Sequence, residues 1–342
     1  MQSIQLLPGI NSPNETASGI HIRGGTPDQN LILFDGIKMY NSAHFFGMIS
    51  AFNPYITEKI KVFKSGAGAK YGNHISGVID IETDDDIIDK TTGGFGFNLT
   101  HTDAFIKFKL KKNLSFAFSV RRSFTDIFST NTYRKLSEKV FQNTIIASDN
   151  NLNDDQIISS TDFHFVDFNS KVIYKPSKKD KVIFNQLFVK NNLEHLFKFK
   201  DASFKTTDLL NIENYGFSSK WIRKWKRNLT QKTSFYFSNY DFNYLFNQND
   251  STPNEDQKAV KLNTIKDFNF QTSFEIKNNL KNTYNFGYQF SNNNVSYKLE
   301  RTNQSESAFD YFLEESNKNI AHAFFGEYLY RSNEKLTLQV GL

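Results

Sequence analysis

The sequence predicts a small mixed α+β domain followed by an antiparallel β-barrel of the membrane-spanning kind. Three observations predict it. The opening stretch carries short apolar runs broken by glycine turns. The rest alternates apolar and polar residues with a period of two. The connections between the alternating segments switch between short and long. A period of two sends one set of side chains to one medium and the other set to another. Soluble sandwiches rarely place every long loop at one end, whereas outer-membrane barrels do.

The bulk numbers agree with a wall that is apolar on one face only. The chain has 342 residues, enough for two ordinary domains. Hydrophobic residues make up 38% and the mean hydropathy is −0.53, yet there are 36 Phe and 15 Tyr. Disordered chains are poor in aromatics, so this one folds. The net charge is +5, but its 41 basic residues are spread through turns and matched by 36 acids, which argues against a nucleic-acid surface. Cysteine is absent, which excludes disulfides, thiolate metal sites and cysteine nucleophiles. No apolar run is long enough for a membrane-spanning helix. Met1-Gln2-Ser3 opens with neither the basic nor the apolar region of a signal peptide.

The elements follow in order. Ile20 and Ile22 alternate with His21 and Arg23 and then meet Gly24-Gly25, as a strand entering a tight turn does. Asn30 to Phe34 is an apolar run ending in Asp35-Gly36, a strong turn signal. Ile56 to Phe63 alternates again. Gly66, Gly68, Gly72 and Gly77 then punctuate the chain before a last short strand, Val78 to Glu82. Lys64 to Gly72 invites a phosphate-loop reading, but Tyr71 follows Lys70 where Ser or Thr is required, so nucleotide binding is rejected. Asp84-Asp85-Asp86 to Lys90 reads as a solvated linker, since its spacing is not that of a calcium loop. The domains are therefore 1–85 and 86–342.

Behind the linker, Phe95, Phe97 and Leu99 share a face, as do Ile106, Phe108 and Leu110, and then Leu114, Phe116, Phe118 and Val120. Phe268, Phe270, Phe274 and Ile276 repeat the pattern, and so do Tyr284, Phe286, Tyr288 and Phe290. Short polar turns fall at 111–113, 175–180, 224–228, 277–282 and 331–335. Long polar stretches lie near 125–161, 191–213, 245–262 and 292–318. The expected strands run about 10 to 15 residues, enough to cross a membrane when tilted, and number about 11. The last of them is cut by the end of the sequence at Leu336 to Leu342. Val182 to Val189 and Ala321 to Leu329 are apolar on both faces. Either contact with the first domain or ordinary burial explains that.

Taken together, Arg23-Gly24-Gly25, Gln29-Asn30, Leu33-Phe34-Asp35-Gly36, Tyr40-Asn41, His44, Phe52-Asn53-Pro54, Lys64-Ser65-Gly66, Tyr71-Gly72 and Ser76 to Ile81 resemble the plug of a TonB-dependent outer-membrane receptor, most closely the Bacteroidetes-type branch. The resemblance implies a plug domain followed by the first half of a barrel, about 11 of 22 strands. It implies TonB with ExbB and ExbD as partners, outer-membrane lipid around the wall, and a location in the outer membrane of a Gram-negative bacterium. An export signal and a TonB-contacting box would lie upstream, so on this resemblance Met1 is read as an artificial or misassigned start. The implied function is uptake of a scarce small ligand (siderophore, cobalamin, glycan or peptide) by TonB-driven plug displacement. The alternative is a surface receptor or adhesin that binds or senses without transport.

The resemblance also assigns residues. Arg23, Gly24, Gly25, Asp35, Gly36, Gly66, Tyr71, Gly72 and Gly77 belong to the plug framework, with Arg23 and Asp35 candidates for a buried polar network. The apical loop offers Tyr40, Asn41, His44, Phe45 and Phe46 as a ligand-binding surface, although His44 and the two Phe also suit packing against the barrel wall. No metal-type residue is suitably spaced from His44, and His101 and His164 stand far apart in sequence. Arg121-Arg122 suits either lipid headgroups or ordinary interface charge. No nucleophile–base–acid set can be assembled, so no enzyme activity, cofactor or metal is expected.

Overall fold

The structure is a computed structural model that describes residues 2–13, 18–72, 74–141, 157–199, 205–249, 257–303, 310–332 and 336–342. Among the described residues the first domain holds eight short strands: β1 Ile10–Asn11, β2 His21–Ile22, β3 Leu31–Phe34, β4 Ile37–Lys38, β5 Ala43–His44, β6 Ile49–Ser50, β7 Thr57–Phe63 and β8 Val78–Thr83. Four of them form a sheet in the order β4-β3-β8-β7, in which only β3 and β8 run parallel. Its described helical content is limited to 3-10 turns at Gln2–Leu6, Pro27–Gln29 and Phe45–Gly47. Asp35 and Gly36 both take left-handed backbone angles, φ 47° and 83°, which folds β4 back onto β3.

Eleven further strands form one antiparallel sheet in chain order: β9 Thr92–Phe97, β10 His101–Lys111, β11 Leu114–Ser123, β12 Ile157–Tyr174, β13 Asp180–Phe199, β14 Lys205–Lys226, β15 Leu229–Asn249, β16 Gln257–Lys277, β17 Asn282–Asn303, β18 Tyr311–Arg331 and β19 Thr337–Gly341. A single described α-helix, α1 (Asn131–Phe141), sits between β11 and β12. A domain of about 85 residues has only a small core of its own. Here Ile22, Phe34, Ile37, Ile79 and Ile81 complete theirs with Leu187 and Val189 of β13. That settles Val182 to Val189 as a strand in contact with the first domain. In Ala321 to Leu329 only Phe325 is buried.

The strands from β12 to β18 are longer than expected, at 18 to 22 residues. The outer face explains the shortfall. Aromatic residues pair across neighbouring strands in one band, as in Phe168–Phe188–Tyr215 and Phe217–Phe237–Phe268. Beyond it the same face turns polar, in the rows Lys190–Glu213–Asp241 and His164–Asn192–Asn211–Asn243. Above the band the residues are polar on this face too, so apolar alternation stops while the backbone ladder continues. Much of 191–213, 245–262 and 292–318 is therefore strand. Residues 142–156, 200–204, 250–256, 304–309 and 333–335 of the expected loops and turn lie outside the described residues.

Candidate functional site: the interface between the first domain and the sheet

The first domain rests on the inner face of the sheet, and that interface collects the buried charge of the molecule. At its foot, both carboxylate oxygens of Asp35 are engaged: Thr83 donates from its amide at 3.0 Å and from its hydroxyl at 2.7 Å. Lys171, buried on β12, brings its Nζ to 3.3 Å from Asp35 and 2.7 Å from Asp85. Ser218 of β14 donates to the Asp35 carbonyl at 2.7 Å. Thus Lys171, not Arg23, is the cation opposite Asp35; Arg23 is exposed in its turn. The acidic run is likewise not a free linker. Asp85 also meets Lys220 at 3.2 Å, and Asp86 meets Lys175 and Lys181 at 3.2 and 3.7 Å. Burial raises the Asp85 pKa, but Lys220 and Lys171 outweigh it and leave the value at about 2.

Higher up, His44 is fully enclosed. Its ring stacks on Phe165 at 4.0 Å, with Nε2 at 2.9 Å from Asp167 and Nδ1 at 2.8 Å from Asn191. Arg121 donates from Nε to the same Asp167 oxygen at 2.8 Å and from its terminal nitrogen to the Ser50 carbonyl at 2.7 Å. The buried arginine network is therefore built by the wall, on Arg121. Burial pushes the His44 pKa down, against the pull of Asp167. A neutral ring donating from Nε2 must accept at Nδ1. Asn191 satisfies this with its amide turned over, which also gives its unpartnered Nδ2 a mate.

The remaining apical residues divide. Phe45 is buried between Phe163 at 4.6 Å and Tyr133 of α1 at 5.5 Å. Phe46 is 44% exposed, and both Phe residues hold positive φ, near 50°. That conformation is costly for bulky side chains and persists only where surroundings enforce it. Tyr40 donates its hydroxyl to Asp267 at 2.7 Å and accepts from Asn293 at 3.1 Å, while Lys38 pairs with Asp267 at 3.1 Å. Asn41 accepts from the Ala43 amide at 3.3 Å and shapes the local turn.

Toward β14 to β17 the interface opens into a cavity of about 340 Å³. On the side of the first domain Lys61 pairs with Glu82 at 2.5 Å, and Tyr71 donates to Asp80 at 2.8 Å. Burial and Asp80 both keep the Tyr71 hydroxyl protonated. Beyond the cavity, Glu327 of β18 accepts from the Ala69 amide at 2.9 Å. Gly36 and Gly72 line this cavity, while Gly24, Gly25 and Gly66 stand around a separate hollow beside Lys64 and His74. A Cβ on Gly25 would strike Ser76, one on Gly77 would strike Ile22, and one on Gly72 would crowd Gln289; Gly24 and Gly66 sit in turns at positive φ. His101 lies 5.6 Å from the Phe165 ring, while His164 is on the opposite face of β12. Among the described residues no group of three or more His, Asp or Glu is arranged to hold a metal. The inward placement of Lys171 and Arg121 could have been read from strand alternation, but their partners could not.

A family model described as the TonB-dependent Receptor Plug Domain matches residues 1–78. No curated protein sequence matches the chain. Among solved structures, the ferric yersiniabactin uptake receptor FyuA from Yersinia pestis is similar over 96% of this chain and 59% of its own, with TM-score 0.62 and 9% identity. The outer membrane transporter YddB from Escherichia coli is similar over 99% of this chain and 52% of its own, with TM-score 0.61 and 10% identity. The ferric-catecholate import receptor Fiu from K12 E. coli matches over 95% and 59%, with TM-score 0.58 and 11% identity. The chain thus spans less than two thirds of these proteins' length, and at such identity the likeness is one of fold. None of these comparisons singles out the Bacteroidetes-type branch. Residues 1–78 therefore match the plug-domain model, and the eleven-stranded sheet behind them has the fold of part of these solved outer-membrane receptors and transporters.

Proposed function

We propose that the chain forms the plug and the plug-bearing wall of an outer-membrane receptor that imports a scarce ligand, with the two parts dividing near residue 85. The observation that carries this reading is the interface itself. A small domain with an incomplete core is held inside an aromatic-belted wall by buried ion pairs and hydrogen bonds. Such contacts fix a plug firmly at rest yet can be exchanged for water when it is displaced. The aromatic band suits hydrocarbon, where a misplaced Lys or Arg at mid-depth costs about 2–4 kcal/mol. Lipid of a Gram-negative outer membrane is then the wall's environment. TonB with ExbB and ExbD supplies the force.

The ligand class favoured is a ferric chelate, because FyuA and Fiu are named for such cargo. The surface offered to it is the apical loop, with Phe46 as first contact and Tyr40 at the edge; His44 and Phe45 act from behind by holding the loop to the wall. A strain lacking the gene should lose growth on one ferric chelate as sole iron source, and the loss should be reproduced by deleting TonB. Retained binding with no TonB-dependent accumulation of radiolabelled iron would favour the sensing receptor instead.

A further inference from the structure

The cavity between the plug sheet and β14 to β17 lies behind the apical loop and apart from any ligand surface described above. Five lysines and four carboxylates line it. Three of the lysines are held by acids at close range: Lys38 faces Asp267 at 3.1 Å, Lys61 faces Glu82 at 2.5 Å and Lys220 faces Asp85 at 3.2 Å. The other two are not. Among the described residues Lys70 has no carboxylate within ion-pair distance, and its ammonium lies over the Tyr71 ring at 4.6 Å. Lys232 reaches Glu275 only at 3.9 Å, and Lys277 draws the same carboxylate at 3.4 Å.

The lining does not make good this deficit. Asp80 is the carboxylate that acts on Lys70 most strongly, yet it is buried and already accepts from the Tyr71 hydroxyl at 2.8 Å. Burial raises the Asp80 pKa and so disfavours its charged form. Enclosure lowers the Lys70 pKa, and the ammoniums of Lys232 and Lys61 push it the same way against the pull of Asp80. Lys70 and Lys232 therefore feel each other across the cavity, one from the plug and one from the wall. Both side chains stay open to solvent, so a ligand reaches them without breaking an established pair. Ser234, two residues along β15 from Lys232 and on the same face, and Gln289 of β17 add a hydroxyl and an amide to the same space.

We propose that this cavity binds a small oxyanion of the phosphate or sulfate type between Lys70 of the plug and Lys232 of the wall, with Ser234 and Gln289 as neutral donors beside it. Charge-assisted contacts to an oxyanion are the strong kind, and two ammoniums supply them here. A volume of about 340 Å³ holds such an ion together with part of its water. So held, the anion joins plug to wall where the protein itself supplies few bonds. The inference does not depend on what the apical loop binds. It is tested by limited acetylation of the detergent-solubilised full-length receptor with acetic anhydride, a neutral reagent, read lysine by lysine by mass spectrometry. Only the free amine reacts, so an anion that holds an ammonium slows its site. Lys112, in the β10–β11 turn, is the control. The probes are inorganic phosphate and sulfate, compared at one ionic strength with choline chloride, and with trehalose as a neutral solute.

Both oxyanions should slow acetylation of Lys70 and Lys232 along one saturating curve, about tenfold at about ten times the midpoint concentration, with Lys112 unchanged. Choline chloride and trehalose should leave all three rates unchanged. In Lys70→Met the phosphate midpoint read at Lys232 should rise about tenfold, the worth of one charge-assisted contact, and Lys70→Arg should restore it. Lys232→Met puts the same question to Lys70, and serves if the first variant fails to fold by heat-modifiable gel mobility. No protection by either oxyanion would overturn the proposal. Equal protection by choline chloride or trehalose, equal protection of Lys112, or an unchanged midpoint in both methionine variants would overturn it too.

Discussion

The plug meets the wall in two different ways. Against β11 to β14 the contact is dry: Ile37 and Phe34 close on Leu187 and Val189, Phe45 on Phe163, and the charges of Asp35, Lys171, Asp167 and Arg121 are buried and paired. Against β15 to β18 a cavity intervenes: apart from Lys38 and Tyr40 on Asp267 of β16, the bridges are single hydrogen bonds such as Ala69 to Glu327 and Gln271 to Lys70. The difference teaches that the plug is fastened along one flank. Buried charge there does not by itself add stability, since well-packed apolar groups often do as well. It does make loss of one partner expensive, and so ties the plug to one position.

The sharpest break in that comparison is Asp167→Ala. It strips the shared acceptor from Arg121 and His44 and should weaken docking of the apical loop by about 3–5 kcal/mol, the cost of an uncompensated buried charge. Phe45→Ala follows, removing the ring held by Phe163 and Tyr133. It should cost about 3 kcal/mol. Both are read from the denaturant midpoint of plug release, followed by proteolysis of the apical loop. On the flank facing β15 to β18, Gln271→Ala removes one hydrogen bond to the Lys70 carbonyl and should cost only about 1 kcal/mol. A Gln271 effect as large as that of Asp167 would erase the distinction between flanks.

Acid should separate the top of the dry flank from its foot. The docked His44 has a lowered pKa, so its contribution is present above its free value near 6.5 and is lost as pH falls below it. Asp85 is depressed to about 2, so its contribution is present above about 4 and is lost only as pH falls toward 2. Titration of amide exchange should therefore show the apical loop loosening between about pH 6.5 and 4 while the foot holds. In His44→Gln the upper step should vanish and the lower one remain.

Much of this was legible in the sequence, and the unread parts share a cause. Alternation gave the strand number because lipid and lumen impose opposite demands on successive residues. The Asp35-Gly36 turn was legible because it is local. Strand length failed above the aromatic band, where both faces are wet and no contrast marks the backbone. The partner of Asp35 failed because Lys171 lies 136 residues away and is brought there by the stagger of β12. His44 was visible as a residue, but its neighbours come from β11, β12 and β13, so its enclosure could not be read from its own loop.

The central claim is that the plug is anchored along one flank, and hydrogen–deuterium exchange on the intact receptor tests it most directly. Amides of Leu31–Phe34, Ala43–His44 and Val78–Thr83 should exchange slowest in the plug, and Phe63 to Gly72 should exchange faster by at least about tenfold, a difference of about 1.4 kcal/mol in opening free energy. Equal protection of the two sets, or slower exchange at Phe63 to Gly72, would contradict the account.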